Sequence, residues 1–193
     1  VRLAGKPVRS RVVDTRFTVR LQESLQPNAE VTIEVDWAFA IPKAGTAPRM
    51  GHEADKVVYL GYWYPQFAVF DDVEGWVADP HRGNGEFYMD YADYELAITA
   101  PQGYLVRATG ELQNADQVLT EKARAALATA MQPGNRDVVH VITKEDHEAG
   151  TVTAPSADGW LTWRFRAETV RDVAVSVART YLWDATHAVV KDK

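Results

Sequence analysis

Acidic side chains are the first candidates for chemistry in this chain. Asp71, Asp72 and Glu74 follow an aromatic run in the segment "GYWYPQFAVFDDVEGW". Glycoside hydrolysis needs two carboxyl groups about 5–10 Å apart across a cleft. Neighbouring residues of a strand point to opposite faces, so Asp71 and Asp72 form such a pair only if a turn redirects them. Acids beside a turn more commonly accept hydrogen bonds from backbone N–H groups, and the sequence predicts that role here.

Two histidines are each followed by glutamate and resemble the start of the zinc-peptidase helix motif H-E-x-x-H. That motif needs a second histidine four residues after the first, so that both imidazoles share one helix face. Lys56 stands four residues after His52, and Thr151 stands four residues after His147. Turn-forming residues surround both histidines, which predicts loop positions. Since no G-x-S-x-G segment or phosphate-binding loop occurs either, we expect no catalytic residue, metal site or cofactor in this chain.

Composition excludes some classes of partner. The chain has 193 residues, a net charge of −6 and no cysteine. Nucleic-acid binding depends on a basic surface, so the acidic balance argues against it. The longest apolar runs are far short of the roughly 20 residues that cross a bilayer. The sequence starts with Val1 and enters strand-like sequence at once, and we therefore expect it to be part of a longer protein.

Apolar and polar residues alternate in the first part of the chain, which is typical of strands with one buried face. One such run is 13–21 and the next is 31–39, and the turn-forming segment "LQPNAE" lies between them. These features predict that the two runs pair as antiparallel strands.

Later segments continue the β pattern, except for one alanine-rich stretch. Further strands are predicted in 87–99 and in the segments "YLVRATG", "DVVHVIT", "TVTA", "GWLTWRFRA" and "VRDVAVSV". Residues 119–134 are predicted to form a short helix with Thr120 as N-cap and Pro133-Gly134 as its stop. The predicted fold is mainly β, an antiparallel β-sandwich or curved, saddle-like sheet with one short helical insertion.

Several segments together resemble a known family. These are, in chain order, "LQESLQPNAEVTIEVDW", "YWYPQFAVFDDVEGW", "GEFYMDYADYELAITAP", "ATGELQN" and "LTWRFRAETVRDVAVSV". They resemble the N-terminal domain of bacterial zinc aminopeptidases, the gluzincin relatives of aminopeptidase N and leukotriene-A hydrolase. Val173 stands where that family has phenylalanine. No residue matches the family's glutamine or glutamate that grips the substrate amine.

The resemblance implies a domain organisation and a function. Residues 1–183 would form the N-terminal β domain of a peptidase, and 184–193 would lead toward a catalytic domain absent from this chain. The domain would be non-catalytic, would pack on the parent's catalytic domain and would help to form the cleft for peptide substrates. Zinc would belong to that catalytic domain. The candidate interface or cleft-edge residues are Trp63, Tyr64, Pro65, Asp71, Asp72, Gly75 and Trp76.

The aromatic residues allow two other functions. Trp63, Trp76 and Tyr88 could stack on sugar rings if they formed a flat exposed row, which would make the chain a carbohydrate-binding β-sandwich. An interaction module with a protein partner other than a peptidase domain is the third class. Aromatic residues of β proteins are mostly core, and Trp63, Tyr64, Phe67 and Phe70 are accordingly predicted to be core or interface.

Overall fold

The chain folds as a mainly β protein. The computed structural model describes residues 1–80, 83 and 87–189. Strands account for 38% of it and helices for 10%, and the strands form several antiparallel sheets. The predicted fold class is therefore confirmed. No helix among the described residues is long and apolar enough to span a membrane.

The described residues form sixteen strands and three helices. The strands are β1 Arg2–Leu3, β2 Lys6–Pro7, β3 Ser10–Val13, β4 Arg16–Val19, β5 Ile33–Glu34, β6 Met50–Glu53, β7 Val57–Leu60, β8 Val69–Asp71, β9 Gly75–Val77, β10 Ala92–Pro101, β11 Leu105–Ala108, β12 Glu111–Leu112, β13 Val139–Ile142, β14 Trp160–Val170, β15 Val175–Ala178 and β16 Trp183–Ala185. The helices are α1 Ala115–Val118, α2 Glu121–Ala130 and α3 Lys144–Glu148.

The chain divides into two compact units. Unit 1 consists of Val1–Ala40 and Pro65–Asp90, and unit 2 of Ile41–Tyr64 and Tyr91–Lys193. The predicted boundary near residue 183 remains a prediction. Asp184 and Ala185 of the predicted junction belong to β16, and residues 190–193 lie outside the described part of the chain.

Unit 2 is built on two larger antiparallel sheets, and β13 and β16 form a smaller third one. One has the strand order β10-β14-β12 and the other β11-β15-β7-β6. The long strands β10 and β14 place apolar residues opposite each other, with Leu96 facing Phe165 and Ile98 facing Trp163. Both pairs belong to one core cluster that also takes in side chains of β11 and β15, such as Val106 and Val175. Burial of these alternating apolar positions stabilises the two sheets together.

Helix α2 agrees closely with its prediction. The side chain of Thr120 accepts a hydrogen bond from the backbone N–H of Ala123, and Glu121 lies in the first turn, where the helix dipole favours an acid. Ala123 and Ala130 are buried. The helical insertion is larger than predicted, since α1 and α3 flank α2 in the chain.

Helix α3 begins at a buried carboxylate. Asp146 is 4% exposed and accepts hydrogen bonds from Lys122 Nζ at 2.7 Å and from the backbone N–H and hydroxyl of Thr143 at 2.9 and 3.1 Å. Burial by itself raises the pKa of Asp146. The hydrogen bonds from Lys122 and Thr143 and the charge of Lys122 outweigh burial, so the pKa lies below its ordinary value of 3.8.

Asp146→Asn is expected to remove a pH-dependent part of the stability of unit 2. A carboxylate whose folded-state pKa is lowered contributes stability above its unfolded-state pKa and loses it as the pH falls through the folded-state pKa. The difference in unfolding free energy between the wild type and the variant should be about 1–2 kcal/mol near neutral pH and should shrink below pH 3.8. Urea unfolding at a series of pH values measures this difference.

The matched control for that substitution is Glu148→Gln. Glu148 lies on the same helix and pairs with Lys144 at 3.5 Å, but both side chains are exposed. Exposed pairs contribute about 0–1 kcal/mol. A difference between Asp146→Asn and the wild type that stayed constant with pH would contradict the role assigned to the Asp146 carboxylate.

In unit 1 the predicted pairing of the first two alternating runs is wrong. Run 13–21 does not form one strand, because a two-residue turn at Asp14-Thr15 folds β3 back on β4. Asp14 has φ of 52°, a left-handed conformation that aspartate tolerates in tight turns. Within run 31–39 only Ile33–Glu34 is a strand, and it pairs with β1. In unit 2 the predicted strand "TVTA" forms no strand, and Thr153 uses its hydroxyl to accept a hydrogen bond from Gly103 N–H.

Candidate functional site

The predicted acidic turn is a β-hairpin in unit 1. Strands β8 and β9 pair with Asp71 opposite Gly75. The carboxylate of Asp71 accepts hydrogen bonds from the backbone N–H groups of Val73 and Glu74 at 3.1 and 2.8 Å. Gly75 has φ of 71°, a left-handed conformation. It follows a three-residue hairpin loop, a loop type that needs a left-handed residue at its end. Asp71 therefore stabilises the turn, as the sequence predicts.

Asp71 and Asp72 do not form a catalytic pair in this arrangement. Asp72 lies in the loop and is exposed. The Asp71 oxygen Oδ1 is occupied by two backbone donors. An acid–base pair would need both carboxyl groups to face one enclosed substrate space. The hairpin instead places these acids on an open turn, where the Asp71 carboxylate orders the backbone.

The hairpin exposes apolar side chains on both of its strands and at its turn. Phe70 is 65% exposed, Trp76 is 63% exposed and Val73 is 84% exposed. The rings of Phe70 and Trp76 meet edge to face, with centroids 5.2 Å apart and planes at 69°. Phe67 precedes the hairpin and is also exposed. We call Phe67, Phe70, Val73 and Trp76 the hairpin patch. Phe67 and Phe70 are thus not core residues of the chain, and their role in an interface stays a prediction.

The two aromatic residues Trp63 and Tyr64 lie in unit 2 and are half-buried. The indole N–H of Trp63 donates to the carbonyl of Val173 at 3.1 Å, and the hydroxyl of Tyr64 donates to the carboxylate of Asp172 at 3.0 Å. The ring of Tyr64 also meets Tyr94 edge to face, with centroids 5.8 Å apart. These contacts attach the segment after β7 to the loop that joins β14 to β15.

The candidate residues are therefore divided between the two units. Trp63 and Tyr64 are part of unit 2, while the other candidates belong to unit 1: Pro65, Asp71, Asp72, Gly75 and Trp76. Pro65 is exposed. Sequence proximity in the segment 61–76 does not by itself indicate one continuous site.

The histidines with a following glutamate do not occupy the predicted loops. His52 lies in strand β6. His147 lies in helix α3, where its Nε2 is 2.8 Å from the carbonyl oxygen of Tyr181. Within the described residues, no three His, Asp or Glu side chains come close enough together to hold a metal ion. The described residues do not fit a zinc site, and no zinc-dependent step is assigned to them.

An apolar cleft in unit 2 is a feature that the sequence did not predict. It has a volume of about 380 Å³ and lies between β10 and β7. Its lining includes Val58, Leu60, Trp63, Ile98 and Val177. The alternation of these residues along their strands predicts that they face inward. It does not indicate which inward positions the opposite sheet leaves uncovered.

Comparison of the chain with protein-family models, with curated proteins and with solved structures gives no match. Its function is therefore inferred from its own residues and from the geometry of the hairpin patch and the cleft.

Proposed function

We propose that this chain is the non-catalytic N-terminal β domain of a zinc aminopeptidase, which packs on the peptidase domain and helps to form the substrate cleft. The hairpin patch carries this proposal. Asp71 orders the turn, and the turn holds apolar side chains in solvent at positions where a folded chain gains nothing from them. Exposed aromatic residues in a group are typical of a contact surface.

The type of partner follows from the resemblance. The hairpin patch lies within "YWYPQFAVFDDVEGW", the segment that most specifically resembles the aminopeptidase N-terminal domain. Tryptophan is among the residues that contribute most to binding when it becomes buried at an interface. Trp76 is therefore the residue expected to contribute most to contact with the peptidase domain.

In the intact enzyme the peptidase domain would hold zinc, which activates water for hydrolysis. The residues of this chain would supply contact area and a wall of the cleft. Trp63 and Tyr64 would keep the loop between β14 and β15 in place through their bonds to Val173 and Asp172. No residue of this chain is proposed to bind the substrate amine.

Two measurements test the proposal. The purified chain, with zinc added, should not hydrolyse aminoacyl-nitroanilide substrates above a heat-denatured control. The coding sequence that follows Lys193 should contain H-E-x-x-H, the helical zinc motif of the peptidase domain. Turnover by the chain alone would contradict the non-catalytic role, and a downstream sequence without the motif would contradict the parentage.

Trp76→Ala is expected to weaken binding of this chain to the separately produced peptidase domain. A buried tryptophan at the centre of an interface contributes about 2 kcal/mol, which corresponds to roughly a 30-fold rise in Kd. Calorimetric titration measures the Kd. Trp160→Ala is the matched control, because Trp160 is also an exposed tryptophan but lies on β14 of unit 2. Equal effects of the two substitutions would overturn the assignment of the hairpin patch.

The carbohydrate-binding alternative has less support. Phe70 and Trp76 meet at 69°, whereas a sugar-stacking platform needs rings that share a plane. The indole N–H of Trp63, another predicted platform residue, is bonded to Val173. Tyr88 is exposed but lies outside the ring pair formed by Phe70 and Trp76. Quenching of tryptophan fluorescence by oligosaccharides, with loss of that quenching in Trp76→Ala, would favour this alternative over the peptidase domain.

A further inference from the structure

Strand β10 has one free edge within the described part of the chain. It pairs with β14 from Ala92 to Pro101 and is the outermost strand of its sheet. Within the described residues, the backbone groups of 94–100 have no hydrogen-bond partner on the side away from β14. A row of N–H and C=O groups of this kind is a template for another strand.

Among residues 1–80, 83 and 87–189, the usual protections of a sheet edge are missing along most of β10. Folded proteins block such edges with proline, lysine, bulges or covering segments. In β10 the register shift lies at the start of the strand, between Ala92 and Tyr94, and the proline is its last residue. The stretch "ELAITA" between these features contains no proline and no lysine. Its edge is therefore open to a partner along six consecutive residues.

Residues of β10 also line part of the apolar cleft of unit 2. Ile98 and Ala100 of β10 form one side of its lining, and Val58 and Leu60 of β7 form another. A strand added to β10 would lie about 4.8 Å from it and would point every second side chain toward the same face as Ile98 and Ala100. Those side chains would enter the cleft. One kind of ligand therefore fits both the backbone edge and the cleft: an extended chain with apolar residues at alternate positions.

The charge on the face of β10 that points away from the cleft indicates which side chains the added strand should have at its other alternate positions. Glu95 is exposed and forms no ion pair within the described residues, and its cross-strand neighbour Arg166 pairs with Glu168 at 2.8 Å. Opposite charges on directly facing residues of neighbouring strands stabilise the pairing. A lysine or arginine opposite Glu95 would meet this condition.

The geometry points to a strand-addition site at the free edge of β10, which binds an extended segment of a partner protein in which apolar residues alternate with lysine or arginine. The main chain of the segment hydrogen-bonds to 94–100, its apolar side chains fill the cleft, and a basic side chain pairs with Glu95. Such binding takes its affinity from main-chain hydrogen bonds and its specificity from the alternate side-chain positions. This site lies in unit 2 and goes beyond the contact proposed for the hairpin patch of unit 1.

The decisive experiment uses short synthetic peptides of alternating valine and lysine. Only every second residue of an added strand turns its N–H toward β10. One peptide is N-methylated on the odd residues and a second on the even residues, so that the two have the same composition. The unmethylated peptide and one of the two methylated peptides should bind, and the other should bind at least roughly tenfold more weakly. Calorimetry measures the three Kd values, and hydrogen exchange should show protection in 94–100.

Three results would overturn the site. These are no binding of the unmethylated peptide, equal binding of both methylated peptides, and protection from exchange outside β10. The charge is tested separately with Glu95→Lys, which should weaken binding of the lysine peptide about two- to fivefold and strengthen binding of a matching glutamate peptide.

Glu111→Lys is the control for that charge change, because Glu111 is exposed on β12 at the opposite edge of the same sheet. An equal effect of Glu111→Lys on the Kd would overturn the pairing assigned to Glu95. Failure of these tests would leave the hairpin patch untouched, since binding of the peptidase domain is measured through Trp76.

Discussion

Gly110→Ala is expected to reduce the free energy of unfolding of unit 2 by about 4 kcal/mol, an exceptional loss for one methyl group. Gly110 has φ of 96°, a conformation that side chains rarely adopt. A Cβ at this position would clash with the carbonyl oxygen of Arg166 and would lie 2.6 Å from its carbon. These are backbone atoms of the central strand β14, so relief of the clash would require β12 to move away from its partner.

Gly103→Ala separates the two contributions to that loss. Gly103 also has a positive φ, 85°, but a Cβ there would have no atom within 4 Å. Only the left-handed conformation then disfavours alanine, at a cost of about 1–2 kcal/mol. Urea unfolding, followed by far-ultraviolet circular dichroism, measures both variants. If Gly110→Ala were no more destabilising than Gly103→Ala, the close approach of β12 to β14 would be wrong.

Trp163→Ala is expected to destabilise unit 2 by about 3–5 kcal/mol. Trp163 is fully buried in the core cluster and lies opposite Ile98 of β10. Removal of the indole takes away its transfer free energy and leaves a cavity that two long paired strands cannot close. Part of this loss of stability is offset, because the substitution also removes a buried N–H that has no acceptor among the described residues and therefore costs desolvation free energy in the wild type.

Trp160→Ala provides the comparison on the same strand. Trp160 is 53% exposed at the start of β14. Substitutions at exposed positions without special contacts usually change stability by about 0.5 kcal/mol or less. Thermal and urea unfolding of the two variants should therefore differ by several kcal/mol. Similar losses for both tryptophans would contradict the placement of Trp163 in the core.

The local features of the fold were predictable because short-range interactions determine them. Thr120 caps α2 through the N–H of Ala123, three residues away. Asp71 orders its turn through N–H groups two and three residues away. In both cases the donor and acceptor are neighbours in the chain, so residue type and spacing are enough to identify the contact.

The pairing of strands in unit 1 was not predictable to the same degree. The alternation in 13–21 is real, but it does not indicate where a turn interrupts it. Asp14 adopts the left-handed conformation that lets β3 and β4 pair with each other. Periodicity indicates which residues share a face only within one uninterrupted strand. Across the turn, Val13 pairs with Arg16 and Val12 with Phe17, so Val13 and Phe17 lie on opposite faces.

The two histidines that precede glutamate were also only partly predictable from the sequence. The wrong spacing for H-E-x-x-H was evident from the sequence, and no described residues assemble a metal site. The tertiary contact of His147 was not evident, because its partner Tyr181 lies 34 residues further along the chain. A side chain whose partner is distant in sequence carries no local signal of its role.

The sequence by itself determined the mainly β class, the capped helix α2 and the ordered turn at Asp71, because each depends on periodicity or on contacts within a few residues. Only the tertiary structure decided that Phe70 and Trp76 are exposed, that β10 has an edge left free by the described residues and that β10 lines part of a cleft. A side chain is exposed, and a strand edge is open, when no other segment packs against it. Both depend on all the contacts between segments that are far apart in the chain. Those contacts form because they bury apolar surface and satisfy main-chain hydrogen bonds.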